Sequence, residues 1–588
     1  MVERKAIPGA AHAVSRPGHD PQRPPVHWPL LADAVDVVHL FVVAAFFLFY
    51  GLIPIFGGDG LGLVGADEPR YAQVAREMLG RHDYITPFLW GHPWLEKPAL
   101  YYWRAIISFH EFGVHDWTAR LPSATFAFLL ITMIYIHIRR FRPGGQMDAA
   151  IITATCAGIL GFARGASTDM QLAAPFVIGL LGWYAWYETD SKFWLFDLYF
   201  FGGAATLAKG PVAPFMILAI LFTFAALRRE WSLLRRTIWI PGVLLYLAMV
   251  LPWYVEVQLR NPDFLRIFFL QHNLERFATD RYMHEHAIWY YGPIMLLALM
   301  PWTVIAIRAL WDAVRQSMAE WRARRVKGHY VGHTRWGDAF PEFLFLSALF
   351  PVVLFSLSQS KLPGYILPAV PPLTILTGDY LHRVREKGIP PWLLILHAAL
   401  TGFMVALVLI LPWHIGHPGA TPPANLLVAA SLSGVAAIVL ILVVVTRFGV
   451  VRLRIATITP LIVLLFFIFG VGPFLGLPAI ASTKKNIRFL DSFYSARPLA
   501  SILSRIVKPG EQVAVFRVRR DMEYGLSFYR DRRVDNYDTD GIPAAAHILI
   551  TRQIEIPNLK PLLAGRSYQP LFAYPMQDLV VYRVAAKE

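Results

Sequence analysis

Two short stretches hold the residues best able to do chemistry. Asp67-Glu68-Pro69-Arg70-Tyr71 and Leu95-Glu96-Lys97-Pro98 lie in one gap between two apolar segments. Carboxylates, a guanidinium and an ammonium set so closely can pair with one another, cap a helix, or hold a charged group at a membrane surface. A mere connector between elements is usually about 4–6 residues long, and this gap is far longer. Asp67, followed by Pro69 in a first turn and then by the run Tyr71 to Leu79, reads as a helix start in which an acid at or near the N-cap satisfies free backbone amides. Capping alone would account for Asp67. Glu96 and Lys97 precede Tyr101-Tyr102-Trp103, an aromatic run suited to a lipid interface, so an ion pair or an interfacial anchor is the plain alternative there.

The elements that must position these residues are membrane-spanning. The chain has 588 residues, 56% hydrophobic and only 16% charged, against about 25% charged in soluble domains. The formal net charge of +15 is spread over short basic clusters between apolar runs, the positive-inside pattern, and nucleic-acid binding is set aside on that ground. The single cysteine, Cys156, rules out an intrachain disulfide and reads as a small core hydrophobe. Residues 1–32 are polar and read as a disordered cytoplasmic tail, with no cleavable signal ahead of the first apolar run.

About thirteen apolar segments follow between residues 33 and 477. Basic stops at Arg139, Arg140 and Arg142, at Arg228, Arg229, Arg235 and Arg236, and at Arg447, Arg452 and Arg454 are assigned to the cytoplasmic side. That threading places residues 57–118 outside, together with Asp169, Lys209, Arg281 and Lys361. It also leaves the C-terminus outside. Residues 478–588 read as a small α/β domain, with a helix over 489–507 and strands at QVAVFRV, GLSFYR, HILIT and DLVVYRV.

The DEPRYA and LEKPALYYW elements, with GVHDWTARLPSA after them, resemble the lipid A aminoarabinose (ArnT-like) transferases and their relatives among the GT-C type glycosyltransferases that use polyprenyl phosphates. The likeness continues through Ser167-Thr168-Asp169, Ala208-Lys209-Gly210-Pro211, His272-Asn273-Leu274-Glu275-Arg276-Phe277 and the KLPGYILP run from Lys361. It implies a polytopic α-helical membrane protein of the bacterial inner membrane, with amphipathic helices of residues 57–118 lying along the outer surface. It implies a sugar donor on undecaprenyl phosphate, transfer in one inverting displacement, and lipid A or another envelope glycan as acceptor. Under the resemblance Asp67 and Asp169 are the carboxylates at the reacting centre. Lys97 and Arg70 are assigned to the donor phosphate, Lys209 and Arg281 to a donor or acceptor phosphate, and Tyr71 and Tyr365 to the donor. No cofactor is required; a divalent metal ion is allowed for, with Glu96 as its contact, although His92, His284 and His286 show no ligand spacing and read better as solvated loop histidines. Two other readings stand beside this one: a relative acting on a protein hydroxyl, and a transporter of the lipid-linked sugar.

Overall fold

The computed structural model describes residues 61–275, 286–327, 339–416, 420–466 and 491–587, together with Phe41. The expected tail, the first apolar segment apart from Phe41, Arg281 and His284 lie outside these residues. The gap between the first two apolar segments folds as helix α1 (Asp67–Arg81), the small hairpin β1 (Phe88–Leu89) and β2 (His92–Pro93), and helix α2 (Leu100–Phe112). These pack through Tyr71, Val74, Met78, Tyr101, Tyr102 and Phe109 into a core of their own.

The apolar segments then follow as helices α3 (Asp116–Phe141), α4 (Gln146–Thr155), α5 (Ala157–Ala163), α6 (Asp169–Thr189), α7 (Leu195–Lys209), α8 (Val212–Arg228), the short α9 (Ser232–Thr237) and α10 (Ile240–Arg260). After a π-helical stretch at Arg266–Glu275 come α11 (Tyr291–Ala298), α12 (Thr303–Lys327), α13 (Ala339–Leu357), a 3₁₀ turn at Pro363–Ala369, α14 (Val370–Arg383), α15 (Pro391–Gly416), α16 (Ala424–Phe448) and α17 (Leu453–Phe466). Five of the described helices are long and apolar enough to cross a bilayer, and two bent pairs raise this to seven. The expected thirteen crossings are therefore not all counted out by the described helices. On α16 the outward residues Leu432, Val435, Val439 and Val443 recur at helical spacing and are about half exposed or more, a stripe that water would not tolerate but lipid does.

Two segments expected as single spans are broken. The segment expected at about 149–162 bends by 62° at Cys156 between α4 and α5, and the one expected at about 288–310 bends by 112° between α11 and α12 at Met300-Pro301. Freed backbone groups must find partners inside an apolar medium, and here the breaks supply each other. The Ala157 amide donates to the Met300 carbonyl at 2.8 Å, and the Trp302 indole N–H donates to the Thr155 hydroxyl at 2.9 Å. Gly158 permits the approach, since a Cβ there would lie 2.9 Å from the Ala298 Cβ.

The basic stops also differ from bare interfacial charges. Arg142 and Arg383 both pair with buried Asp379, Arg385 and Arg454 both pair with buried Asp148, and Arg228 lies 3.3 Å from buried Glu342. Each acid joins elements distant in sequence, so the stops act as fasteners of the bundle.

The C-terminal region carries a five-stranded sheet ordered β4-β3-β5-β7-β6, from β3 (Gln512–Phe516), β4 (Asp535–Asn536), β5 (His547–Arg552), β6 (Tyr568–Tyr574) and β7 (Leu579–Val584). Strand β3 runs parallel to β4 and β5, while β7 is antiparallel to β5 and β6. Helix α18 (Arg497–Ile506) takes the place of the expected helix. GLSFYR is not a strand: it is the end of helix α19 (Arg520–Arg530), whose buried Met522, Gly525, Leu526 and Phe528 follow a helical period that a six-residue window conceals. Strand β6 is not among the expected strands; it sits at the sheet edge, where its Pro570 is tolerated.

This region does not hang free. Gly62 donates its amide to Asp491 at 2.8 Å and Leu63 to the Tyr529 hydroxyl at 2.6 Å. Tyr529 in turn donates to Asp116 at 2.5 Å, and Arg497 bridges Asp491 and Asp116. Phe528 enters the core of α1 and α2.

Removing a buried partner of two arginines leaves uncompensated charge. Asp148→Ala is therefore expected to destabilise the purified protein by about 3 kcal/mol or more, read as a lowered midpoint in detergent thermal unfolding.

Candidate active site

The acids Asp67 and Glu68 adjoin in sequence and have opposite fates. Glu68 is buried: its Oε2 accepts from the Val64 amide at 2.8 Å and from Arg120 at 2.6 Å, and its Oε1 accepts from the Ala166 amide at 2.9 Å. Arg120 spends its other N–H groups on the carbonyls of Leu61 and Gly62. A charge-assisted fork of this kind fixes geometry as well as charge. Glu68 thus ties the start of α1 to α3 and to the turn before α6.

Asp67 is half-exposed, and it does not cap α1. The N-cap is Ala66 with no side-chain cap bond, and the Asp67 carboxylate pairs instead with Arg70, one turn on. The Arg70 guanidinium also lies 4.0 Å from Glu96. It faces three rings, Tyr71 and Trp94 at 5.2 Å and Tyr524 at 5.6 Å to the centroid. Burial works against its charge, but Tyr71, Asp67, Glu96 and Tyr524 outweigh that and raise its pKa, so Arg70 is a permanent cation. Tyr71 itself is a core residue, 3% exposed and packed against Tyr101 and Tyr102; it supports Arg70 from beneath.

The second cluster forms where α6, α7 and the turn before α14 meet. Asp169 opens α6 and Lys209 closes α7; their side chains pair. Ser167 donates to the other Asp169 oxygen at 3.1 Å. The Lys209 ammonium sits 4.9 Å from the Tyr365 ring centroid. The glycine of KLPGY explains itself here, since a Cβ on Gly364 would lie 2.6 Å from the Asp169 carboxyl carbon. Lys361, in contrast, is buried and turns its ammonium onto the Ser358 carbonyl at 2.6 Å. The two clusters are physically coupled, because Glu68, beside Asp67, holds the Ala166 amide, three residues before Asp169.

Lys97 is half-buried between Leu95 and Ala99, which pack with Leu207, Trp253, Phe264 and Phe268 in one apolar cluster. It therefore stands on the wall that also carries the end of α7. The histidine that approaches Glu96 is His272, at 3.9 Å, rather than exposed His92 or His286, which stacks on Tyr290. Among the described residues no three His, Cys, Asp or Glu side chains converge as a metal-binding group. With Arg70 on its other side, Glu96 is fitted as an ion-pair partner.

The family described as dolichyl-phosphate-mannose-protein mannosyltransferase matches residues 96–255. An undecaprenyl phosphate-alpha-4-amino-4-deoxy-L-arabinose arabinosyl transferase of Edwardsiella ictaluri is 29% identical over 392 residues, 64% of this chain and 66% of that protein. The protein of that name in Pseudomonas aeruginosa is 30% identical over 356 residues, 59% of this chain and 60% of its own length. The crystal structure of ArnT from Cupriavidus metallidurans bound to undecaprenyl phosphate has the same fold, with a TM-score of 0.70 at 22% identity over 94% of this chain and 98% of that one. The chain is similar in sequence to these transferases and shares the fold of one solved ArnT. Its matches span 66% and 60% of the length of these curated relatives, while the shared fold covers 94% of this chain.

Within that fold, Arg120, Trp94, Ser167, His272 and Tyr524 are the site neighbours that motif reading did not assign. Arg120 sat in plain view inside GVHDWTARLPSA, but its partner Glu68 is 52 positions away. Gly364→Ala is expected to displace Asp169 from Lys209 while the protein still folds. Since misplacement by about 1 Å can cost roughly 100-fold in rate, turnover should fall about that much, measured beside an unchanged elution profile.

Proposed function

We propose that this chain is an inverting glycosyltransferase of the bacterial inner membrane. It moves 4-amino-4-deoxy-L-arabinose from undecaprenyl phosphate to a phosphate of lipid A on the periplasmic face, with the N-terminus cytoplasmic and the C-terminal α/β domain (478–588) periplasmic. The observation that carries the reading is a pair of carboxylate–cation couples, Asp67–Arg70 and Asp169–Lys209, joined through Glu68.

A phosphate approaching Arg70 or Lys209 competes with the carboxylate already there, and each cation it engages releases an acid to face the sugar. Arg70 and Lys97 hold the donor phosphate as it becomes the leaving group. Lys209, under Tyr365, serves a donor or acceptor phosphate, and Arg281 joins that set. The bond from the anomeric carbon to the donor phosphate breaks as the acceptor oxygen attacks from the opposite face. An acceptor phosphate is already ionised near neutral pH and needs little deprotonation. Asp67 and Asp169 then position the sugar and stabilise positive charge on it, including that of its ammonium group.

Asp67→Ala and Asp169→Ala are each expected to abolish transfer in purified, correctly inserted protein; full activity in both would overturn the assignment. Lys97→Ala is expected to weaken undecaprenyl phosphate binding by about tenfold, as loss of a charge-assisted contact does, and unchanged affinity would remove it from the donor site. Mass spectrometry of lipid A from cells with and without the chain reads the acceptor directly: a gain of one aminopentose is expected.

A further inference from the structure

Arg70, a largely buried cation of the site, draws one of its three ring neighbours from the far end of the chain. Tyr71 and Trp94 come from the first outer loop, but Tyr524 lies on α19 of the C-terminal region, with its ring centroid 5.6 Å from the Arg70 guanidinium carbon. Helix α19 is docked for this on both sides. Arg76 of α1 donates to the Phe528 carbonyl at 2.8 Å and pairs with Asp531 at 3.2 Å. On the other side, Gly525 allows close contact with Ala496, whose Cβ lies 2.6 Å from where a glycine Cβ would stand. Tyr524 is thus set by docking contacts to either side of it and is half-buried against the guanidinium. The Nε of Arg70 and the indole N–H of Trp94 have no hydrogen-bond partner although both are buried. Three rings therefore enclose this cation beside its carboxylate partners Asp67 and Glu96, and its Nε–H is left without an acceptor.

We propose that Tyr524 is a positioning residue for the donor phosphate: the C-terminal region completes a three-ring enclosure that holds the Arg70 guanidinium in the orientation in which it receives an oxyanion. The inference rests on the reading of Arg70 as a phosphate ligand. A ring over a partly desolvated guanidinium stabilises it electrostatically and limits its rotamers. Tyr524 acts through Arg70 and makes no contact with the reacting atoms.

The test uses the purified full-length protein titrated with undecaprenyl phosphate. Tyr524→Ala should weaken binding by about fivefold, the size of one such contact, whereas Tyr524→Phe, which keeps the ring, should stay within about twofold. Because the effect passes through Arg70, the double variant Arg70→Ala/Tyr524→Ala should bind no worse than Arg70→Ala alone. Tyr529→Phe serves as a docking control: it loses the bond to Asp116 without touching Arg70, and should lower the unfolding midpoint without following the affinity change. Affinity that falls in proportion to the unfolding midpoint across Tyr524→Ala and Tyr529→Phe would overturn the proposal, as would independent, additive losses from Arg70 and Tyr524. If Arg70→Ala binds as well as the unaltered protein, the phosphate reading itself fails; if Arg70→Ala weakens binding and Tyr524→Ala does not, only the enclosure fails.

Discussion

The arrangement depends first on one buried carboxylate. Glu68 is held by Arg120 and by two backbone amides, and it fastens the segment leading into α1, the start of α3 and the turn before α6 to a single point. A buried acid whose oxygens accept from a guanidinium and from amides is held in one direction. With Glu68 fixed, Asp67 must project the other way, toward Arg70, and the segment from Ala166 to Asp169 must begin α6 where Lys209 can meet it. Two adjacent acids thereby divide the labour of holding and of facing outward.

The same accounting governs the bundle. Where a helix breaks inside an apolar region, its amides and carbonyls need partners; the kink at Cys156 meets the one at Met300, and the two exchange a backbone bond and an indole–hydroxyl bond. Where arginines crowd a helix end, acids buried on neighbouring helices receive them. Local sequence shows the proline and the arginines but not what lies across from them. For that reason the bends and the ion pairs escape a linear reading even though the apolar segments themselves stand out.

Legibility followed the range of the interaction. DEPRYA, Ser167 to Asp169, Lys209 and KLPGY could be picked out because each motif is contiguous, and Asp169, Lys209 and Tyr365 do assemble. Asp67 read as a helix cap because an acid before a proline commonly caps; in the fold the helix begins one residue earlier and the acid turns to Arg70. Tyr71 read as a ligand residue because it sits inside a motif, yet it is enclosed by rings. GLSFYR looked like a strand through a short window, and only the flanking Met522 and the contact with Ala496 give it a helical period. His92 and His286 read as solvated loop histidines and are exposed, while His272 reaches Glu96 from a π-helical stretch that no spacing rule marks.

The docking of the C-terminal region has a temporal side. Leu63 and Tyr529 are separated by 466 positions and share a hydrogen bond, so the loop bearing Asp67 and Arg70 is synthesised long before its last wall exists. Until the final helices and sheet have emerged, the amides of Gly62 and Leu63 lack Asp491 and Tyr529, and Arg70 lacks one of its rings. The chain therefore carries an unfinished charged floor throughout its own manufacture, and a truncated product would keep the motifs without the enclosure.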